Sequence, residues 1–174
     1  MEYRIAEPAD AVALADFGAR LFVSSYQHLM DRAELEAYVR DHFSADLQHA
    51  ELTDPAMITF LAGDAGICGY AQLLIGSRPD CALDADAPAA LQRIYVDPAW
   101  QGRGVAPELL RLVEAGARGR GCDALWLAVW EINDRALSFY RKSGFAVVGR
   151  QGFPIGSEVQ TDYVMAKPLA TELQ

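Results

Sequence analysis

The chain is 174 residues long, 52% hydrophobic and 22% charged, with a formal net charge of −9. That length suits one domain with a core of its own, and no apolar run is long enough to span a bilayer. The acidity argues against a nucleic-acid backbone as the main partner, which calls for clustered Lys and Arg; it mildly favours a cationic ligand by long-range attraction, and solubility alone suffices to explain it.

Residues 3–6 read as a short strand. Pro8 opens a helix running to about residue 26, with Val12, Leu14, Phe17, Leu21 and Phe22 mostly on one face. Asp31, with Glu34 three residues on, is a capping-box pattern for a second helix striped by Leu35, Tyr38, Val39 and Phe43. Ser44 caps a third helix, which Thr53-Asp54-Pro55 stops. Residues 57–62 and 67–75 are strands joined by Gly63-Asp64-Ala65-Gly66, which predicts an antiparallel hairpin. Residues 76–87 are a loop carrying Asp80, Asp84 and Asp86. A strand over 92–96 runs into Asp97-Pro98, where proline has no N–H to give a sheet. The next helix covers about 106–120 and ends at Gly121.

Residues 124–130, ALWLAVW, are an almost unbroken apolar run that suits a central strand buried on both faces. Asn133 caps a helix that Gly144 closes, and 145–149 and 158–166 are the last strands. Strands alternating with helices, without repeat or linker, predict a single-domain α/β fold over 1–174. The first residues show no basic region followed by an apolar core, and Cys68, Cys81 and Cys122 lack metal-ligand spacing. Both fit a cytoplasmic protein with no metal site, and the apolar runs and net charge add the expectation of no membrane segment and no nucleic-acid partner.

Two stretches carry chemistry. Gln101-Gly102-Arg103-Gly104-Val105-Ala106 stands between a strand and a helix whose first turn holds Pro107 and Glu108. Such a loop presents unpaired N–H groups at a helix N-terminus, where the dipole adds partial positive charge and glycine lets a ligand approach the backbone. The third glycine of the dinucleotide fingerprint is missing, and no Gly-Lys-Ser/Thr follows as in a Walker loop. Taken alone, the stretch is better described as a turn that happens to contain two glycines. The second is the helix from Asn133, where Asn133, Ala136, Leu137 and Tyr140 share a stripe. It offers an amide to grip a ligand and a phenol to give a proton, although a helix cap and a half-buried core tyrosine leave the same pattern.

Together the two resemble the GNAT acetyltransferase superfamily. Gln-x-x-Gly-x-Ala follows a strand and Asp-Pro, and Asn-x-x-Ala-x-x-Phe-Tyr-x-x-x-Gly-Phe (Asn133, Ala136, Phe139, Tyr140, Gly144, Phe145) stands downstream in the family's order. The resemblance implies a mixed, mostly antiparallel twisted sheet flanked by helices. It implies direct transfer of acetyl from acetyl-CoA to an amine in a ternary complex, without an acyl-enzyme. Ile94, Tyr95 and Val96 would then form the strand whose backbone holds the pantetheine and thioester carbonyl, through Ile94 and Val96. The amides of Gln101, Gly102, Arg103, Gly104, Val105 and Ala106 would hold the pyrophosphate, and Asn133 would contact the cofactor near Tyr140. Arg103 and Lys142 reach phosphates or are solvated surface cations. Tyr140 is the general acid by this reading, since a phenol of pKa about 10 can supply the proton that a thiolate near 8.5 needs. Many relatives carry Glu where this chain has Gln92, which cannot take a proton; a water chain, His28, Glu131 or desolvation remain as routes for the amine's proton.

Ser25-Tyr26-Gln27-His28-Leu29, Phe43-Ser44, Glu51-Leu52, Gly69-Tyr70 and the stretches 125–131 and 158–167 resemble the PaiA-type spermidine/spermine acetyltransferases. This implies a polyamine or similar small amine as acceptor, with Tyr26 and His28 lining its side. Glu131, Asp162 and the Asp84–Asp86 loop are then the candidate carboxylates for distal ammonium groups, although solvated acids on an acidic surface describe them better. A protein N-terminus or lysine is the alternative acceptor, and a non-catalytic acyl-CoA-binding module the alternative class, against which Tyr140 argues. Homodimers are common among such relatives.

Overall fold

Most of the expected runs close into elements near their expected places. The computed structural model describes residues 1–28, 30–155 and 157–169, so Leu29 of the Ser25–Leu29 stretch lies outside the described residues. In chain order the elements are β1 (Tyr3–Ile5), α1 (Ala11–Tyr26), α2 (Arg32–His42), α3 (Ala45–Thr53), β2 (Met57–Ala62), β3 (Gly69–Ile75), β4 (Pro88–Val96), α4 (Val105–Gly119), β5 (Ala124–Trp130), α5 (Asp134–Lys142), β6 (Ala146–Ile155) and β7 (Glu158–Pro168). The capping predictions hold at the atomic level. Asp31 Oδ1 accepts from the Glu34 N–H at 2.8 Å and Glu34 Oε2 from the Asp31 N–H at 3.4 Å, while Ser44 Oγ accepts from the Leu47 N–H at 3.2 Å.

The strands make one seven-stranded sheet in the order β1-β2-β3-β4-β5-β7-β6. Pairs β1–β2, β5–β7 and β6–β7 are antiparallel and β4–β5 is parallel, so the fold is the mixed, mostly antiparallel α/β sheet flanked by helices that the sequence predicts. The parallel ladder joins Pro88–Ala90 to Ala124–Trp126 and stops there, leaving the rest of β4 without β5 as a ladder partner.

The chain divides into two compact units, Met1–Gln72 with Arg93–Leu112, and Leu73–Gln92 with Val113–Gln174. In the first, Leu14, Phe17 and Leu21 of α1 bury against Ala6, Leu61 and Tyr70. In the second, Trp126 of β5 packs with Ala90, Val164 and Ala166, and half-buried Leu74, Cys81 and Leu83 close over them. No helix of the described residues is long and apolar enough to cross a membrane.

Four expectations need correction. Val12 is 62% exposed, because the buried stripe of α1 runs through Ala11, Leu14, Ala15, Gly18 and Leu21 and leaves it outside. β3 begins at Gly69 rather than at residue 67, the Cys68 N–H still bonding back to Ala62 O at 2.8 Å across a longer connection. β4 begins at Pro88, four residues early, because Pro-Ala-Ala finds β5 as a partner. β6 runs to Ile155 instead of residue 149: Gly149, Gly152 and Pro154 look like breakers but sit on a strand at the sheet edge, where proline and glycine are tolerated.

Candidate active site

The glycine loop is built from its flanks. Asp97 Oδ1 accepts from the Ala99 N–H at 3.0 Å and Oδ2 pairs with Arg20 of α1 at 2.9 Å. The bond from Ala99, with Arg20 second, holds the Asp97 carboxyl below its ordinary range, so the turn after β4 is pinned to α1. The Asp97 N–H donates to Cys68 O at 2.9 Å, and Gln101 Nε2 donates to Val96 O at 3.2 Å, folding the loop back on the strand it leaves. Gly102 and Gly104 then adopt φ of +74° and +84°. A Cβ at either would meet open space, so backbone conformation and not crowding demands glycine there. The first bond of α4 runs from the Glu108 N–H to Gly104 O at 3.2 Å. The N–H groups of Val105 and Ala106 precede it, and Pro107 has none, so the loop and first turn offer donors of the kind an anion takes.

The position of that helix end is fixed by packing. Val105, Leu109, Leu110 and Val113 of α4 are buried. Gly69 of β3 permits the approach: a Cβ there would stand 3.1 Å from both Tyr95 O and Val105 Cγ1. Arg103 is exposed, its guanidinium 5.3 Å over the Trp100 ring. On the same unit's helices, Phe22 stacks between Tyr26 at 4.5 Å and Tyr38 at 4.4 Å, and His42 stacks on Tyr38 at 3.9 Å. His28 is exposed, as is Gln92 on β4. Tyr95 lies on β4 with its ring 5.6 Å from Tyr70. Burial, followed by the neighbouring phenol of Tyr26, pushes Tyr95 far above its ordinary pKa, and burial does the same to Tyr70.

In the second unit, Asn133 Oδ1 caps α5 by accepting from the Ala136 N–H at 3.1 Å. Leu137 and Tyr140 form the buried side of α5. The Tyr140 ring sits 5.2 Å from Phe139 and edge-on to Phe145 at 5.8 Å, and Gly144, at φ +90°, ends the helix. Lys142 is exposed on the last turn. Glu131 faces Arg150 at 3.9 Å. Asp162 is buried, takes a hydrogen bond from Gln160 Nε2 at 3.1 Å, and is pushed above the usual carboxylate range by its burial. Among the described residues no three His, Cys, Asp or Glu side chains gather as metal ligands.

Sequence reasoning passed over one polar cluster. Arg93 on β4 is half-buried and bonded to Glu51 of α3 and Gln72 of β3. The signal was a charged residue inside a strand pattern, one position after Gln92.

A model of the acetyltransferase (GNAT) family matches residues 22–145, a span that takes in the glycine loop and the whole of α5. The chain belongs to the GNAT acetyltransferase family. It is 32% identical over 161 residues to an uncharacterised N-acetyltransferase of Mycobacterium tuberculosis, covering 92% of this chain and 98% of that one. It is 26% identical over 163 residues to a streptothricin acetyltransferase of Streptomyces lavendulae, covering 85% and 82%. The fold matches that of a PaiA N-acetyltransferase from Thermoplasma acidophilum solved with coenzyme A, with a TM-score of 0.75 and 20% identity over 97% of this chain and 99% of that one. The protein is thus a GNAT N-acetyltransferase, and Gly102, Gly104 and Tyr140 stand inside the matched span.

Proposed function

We propose that this GNAT enzyme moves acetyl from acetyl-CoA to the primary amine of a polyamine or similar small amine, by direct attack in a ternary complex in the cytoplasm. The observation that carries the cofactor reading is the loop at 101–106, with two positive-φ glycines opening the well-anchored helix α4. Its backbone donors suit a pyrophosphate, which such a helix end receives with the aid of the dipole. Arg103, its guanidinium over the Trp100 ring, and exposed Lys142 add positive charge for phosphates.

The remaining roles follow from family resemblance and from chemistry. Backbone groups of Ile94 and Val96, on either side of Tyr95, hold the pantetheine arm and polarise the thioester carbonyl. Asn133 steadies the arm. As the neutral amine nitrogen bonds to the carbonyl carbon, the carbon–sulfur bond breaks and Tyr140 gives its proton to the departing thiolate; the proton that the new amide nitrogen sheds passes to water and restores the Tyr140 phenol. Gln92 takes no proton, so the amine reaches the thioester already neutral or loses its proton to water. Tyr26 and His28 line the acceptor side, and Glu131 faces a distal ammonium.

The test is release of free coenzyme A thiol from acetyl-CoA across spermidine, spermine, simple monoamines, streptothricin-like amines and lysine peptides. Saturable release with polyamines supports the proposal, while turnover with peptides alone transfers it to protein acetylation. Tyr140→Phe is expected to lower kcat by about 10²- to 10⁴-fold while leaving acetyl-CoA binding in place. An unchanged kcat removes Tyr140 as the acid.

A further inference from the structure

The Arg93 cluster has no part in that mechanism, yet it lies next to the strand segment the mechanism uses. Arg93 Nη1 donates to Glu51 Oε1 at 3.1 Å, to Glu51 Oε2 at 2.8 Å and to Gln72 Oε1 at 2.8 Å. Gln72 Nε2 donates in turn to Glu51 Oε2 at 3.0 Å and Thr59 Oγ1 at 3.3 Å. One closed network therefore ties α3, β2, β3 and β4. The side chains of Arg93 and Glu51 are only 15% and 13% exposed. Burial, the largest single influence, lowers the pKa of the Arg93 guanidinium, but Glu51 together with the neighbouring Tyr70 and Tyr95 outweighs it, and the net shift is upward. The Phe43 ring covers the guanidinium from 5.6 Å.

The location gives the network a task. The β4–β5 ladder ends at Ala90, so at Arg93 the strand no longer has β5 to set its orientation. Side chains alternate along a strand, so fixing Arg93 to one face fixes the rotation of the strand about its own axis at the next residue, Ile94. A buried ion pair is weak support for stability, since apolar side chains of similar size usually do as well, and its better-attested use is to set one arrangement among several.

We infer that Glu51, with Gln72, is a positioning residue for acetyl transfer: by gripping Arg93 it holds the backbone of Ile94–Val96 at the angle the thioester carbonyl requires. This rests on the proposed use of that backbone for acetyl-CoA. Two variants separate positioning from stability. Glu51→Gln keeps the shape and loses the charge. The double variant Glu51→Met with Arg93→Met removes both charges and leaves none buried alone.

The readouts are thermal midpoint, acetyl-CoA affinity, kcat, and the carbonyl resonance of bound acetyl-CoA carrying carbon-13 at that carbon. In the parent the resonance is expected to be displaced from its free value by the strand donors. In the folded double variant it is expected to return toward the free value, with kcat lower by at least about tenfold and acetyl-CoA affinity within about threefold. A folded double variant with the parent's resonance and kcat within about twofold overturns the inference and leaves the pair structural. If the double variant does not fold, Glu51→Gln decides by the same readouts. Failure of the parent to bind acetyl-CoA is a separate result that removes the proposed function, and the role of Glu51 with it.

Discussion

Asp162 illustrates how burial changes what a carboxylate can do. It stands on β7 opposite Trp130 of β5 and Gln151 of β6. Gln160 Nε2 donates to it at 3.1 Å, but burial dominates and raises its pKa above the ordinary carboxylate value. The folded state therefore holds the proton more tightly than the unfolded chain does. Stability from this group is fully present below the unfolded value, about 3.9, and is lost as pH rises through the higher folded value. Asp162→Asn keeps the size and removes the titration. It is expected to melt above the parent at neutral pH, with the difference shrinking to near zero below about pH 4. Thermal midpoints across that range check this, and a difference independent of pH would show that charge burial is not its source. The same physics bears on function: a carboxylate that favours its neutral form is a poor seat for a distal ammonium. That leaves the Asp84–Asp86 loop and Glu131, although Arg150 stands 3.9 Å from Glu131.

At the scale of the elements, Gly18 is the test of how tightly α1 is set. A Cβ there would lie 2.7 Å from Phe43 Cδ1 and 3.1 Å from Tyr70 Oη. Alanine is the better helix former by about 1 kcal/mol, but crowding two buried rings costs about 1–3 kcal/mol. Gly18→Ala is therefore expected to lower the urea midpoint, and a raised midpoint would mean that the Phe43 ring gives way easily. This also marks what a sequence can and cannot disclose. Helix starts at Asp31, Ser44 and Asn133 were legible because a cap is a bond between residues three apart. The conformation of the loop at 101–106 was legible for a similar reason, since the positive φ of Gly102 and Gly104 is a local demand that glycine meets. The start of β4 was not, because Ala89 pairs with Leu125, and neither was the far half of β6, which exists through β7. Glu51 and Arg93 are 42 residues apart, so only folding discloses that the charge in the strand has a partner.

Over the whole molecule the governing quantity is the formal charge of −9. Field effects at this scale act on encounter rather than on chemistry, and salt screens them over a length of about 8 Å at physiological ionic strength. The two substrates in the proposal carry opposite charges, which makes the prediction two-sided. For spermidine, a trication, kcat/KM is expected to fall by about tenfold as salt rises from about 20 to about 300 mM, because attraction is screened. For a monoamine the fall should be smaller, and for acetyl-CoA, an anion approaching an acidic protein, kcat/KM should rise over the same range. Steady-state kinetics with each substrate varied in turn measures all three. If spermidine and the monoamine decline in parallel, the acidity serves solubility alone and acceptor choice rests on local contacts such as those of Tyr26 and Glu131. If only spermidine declines steeply, the charge that looked unspecific in the composition acts as the long-range part of acceptor selection.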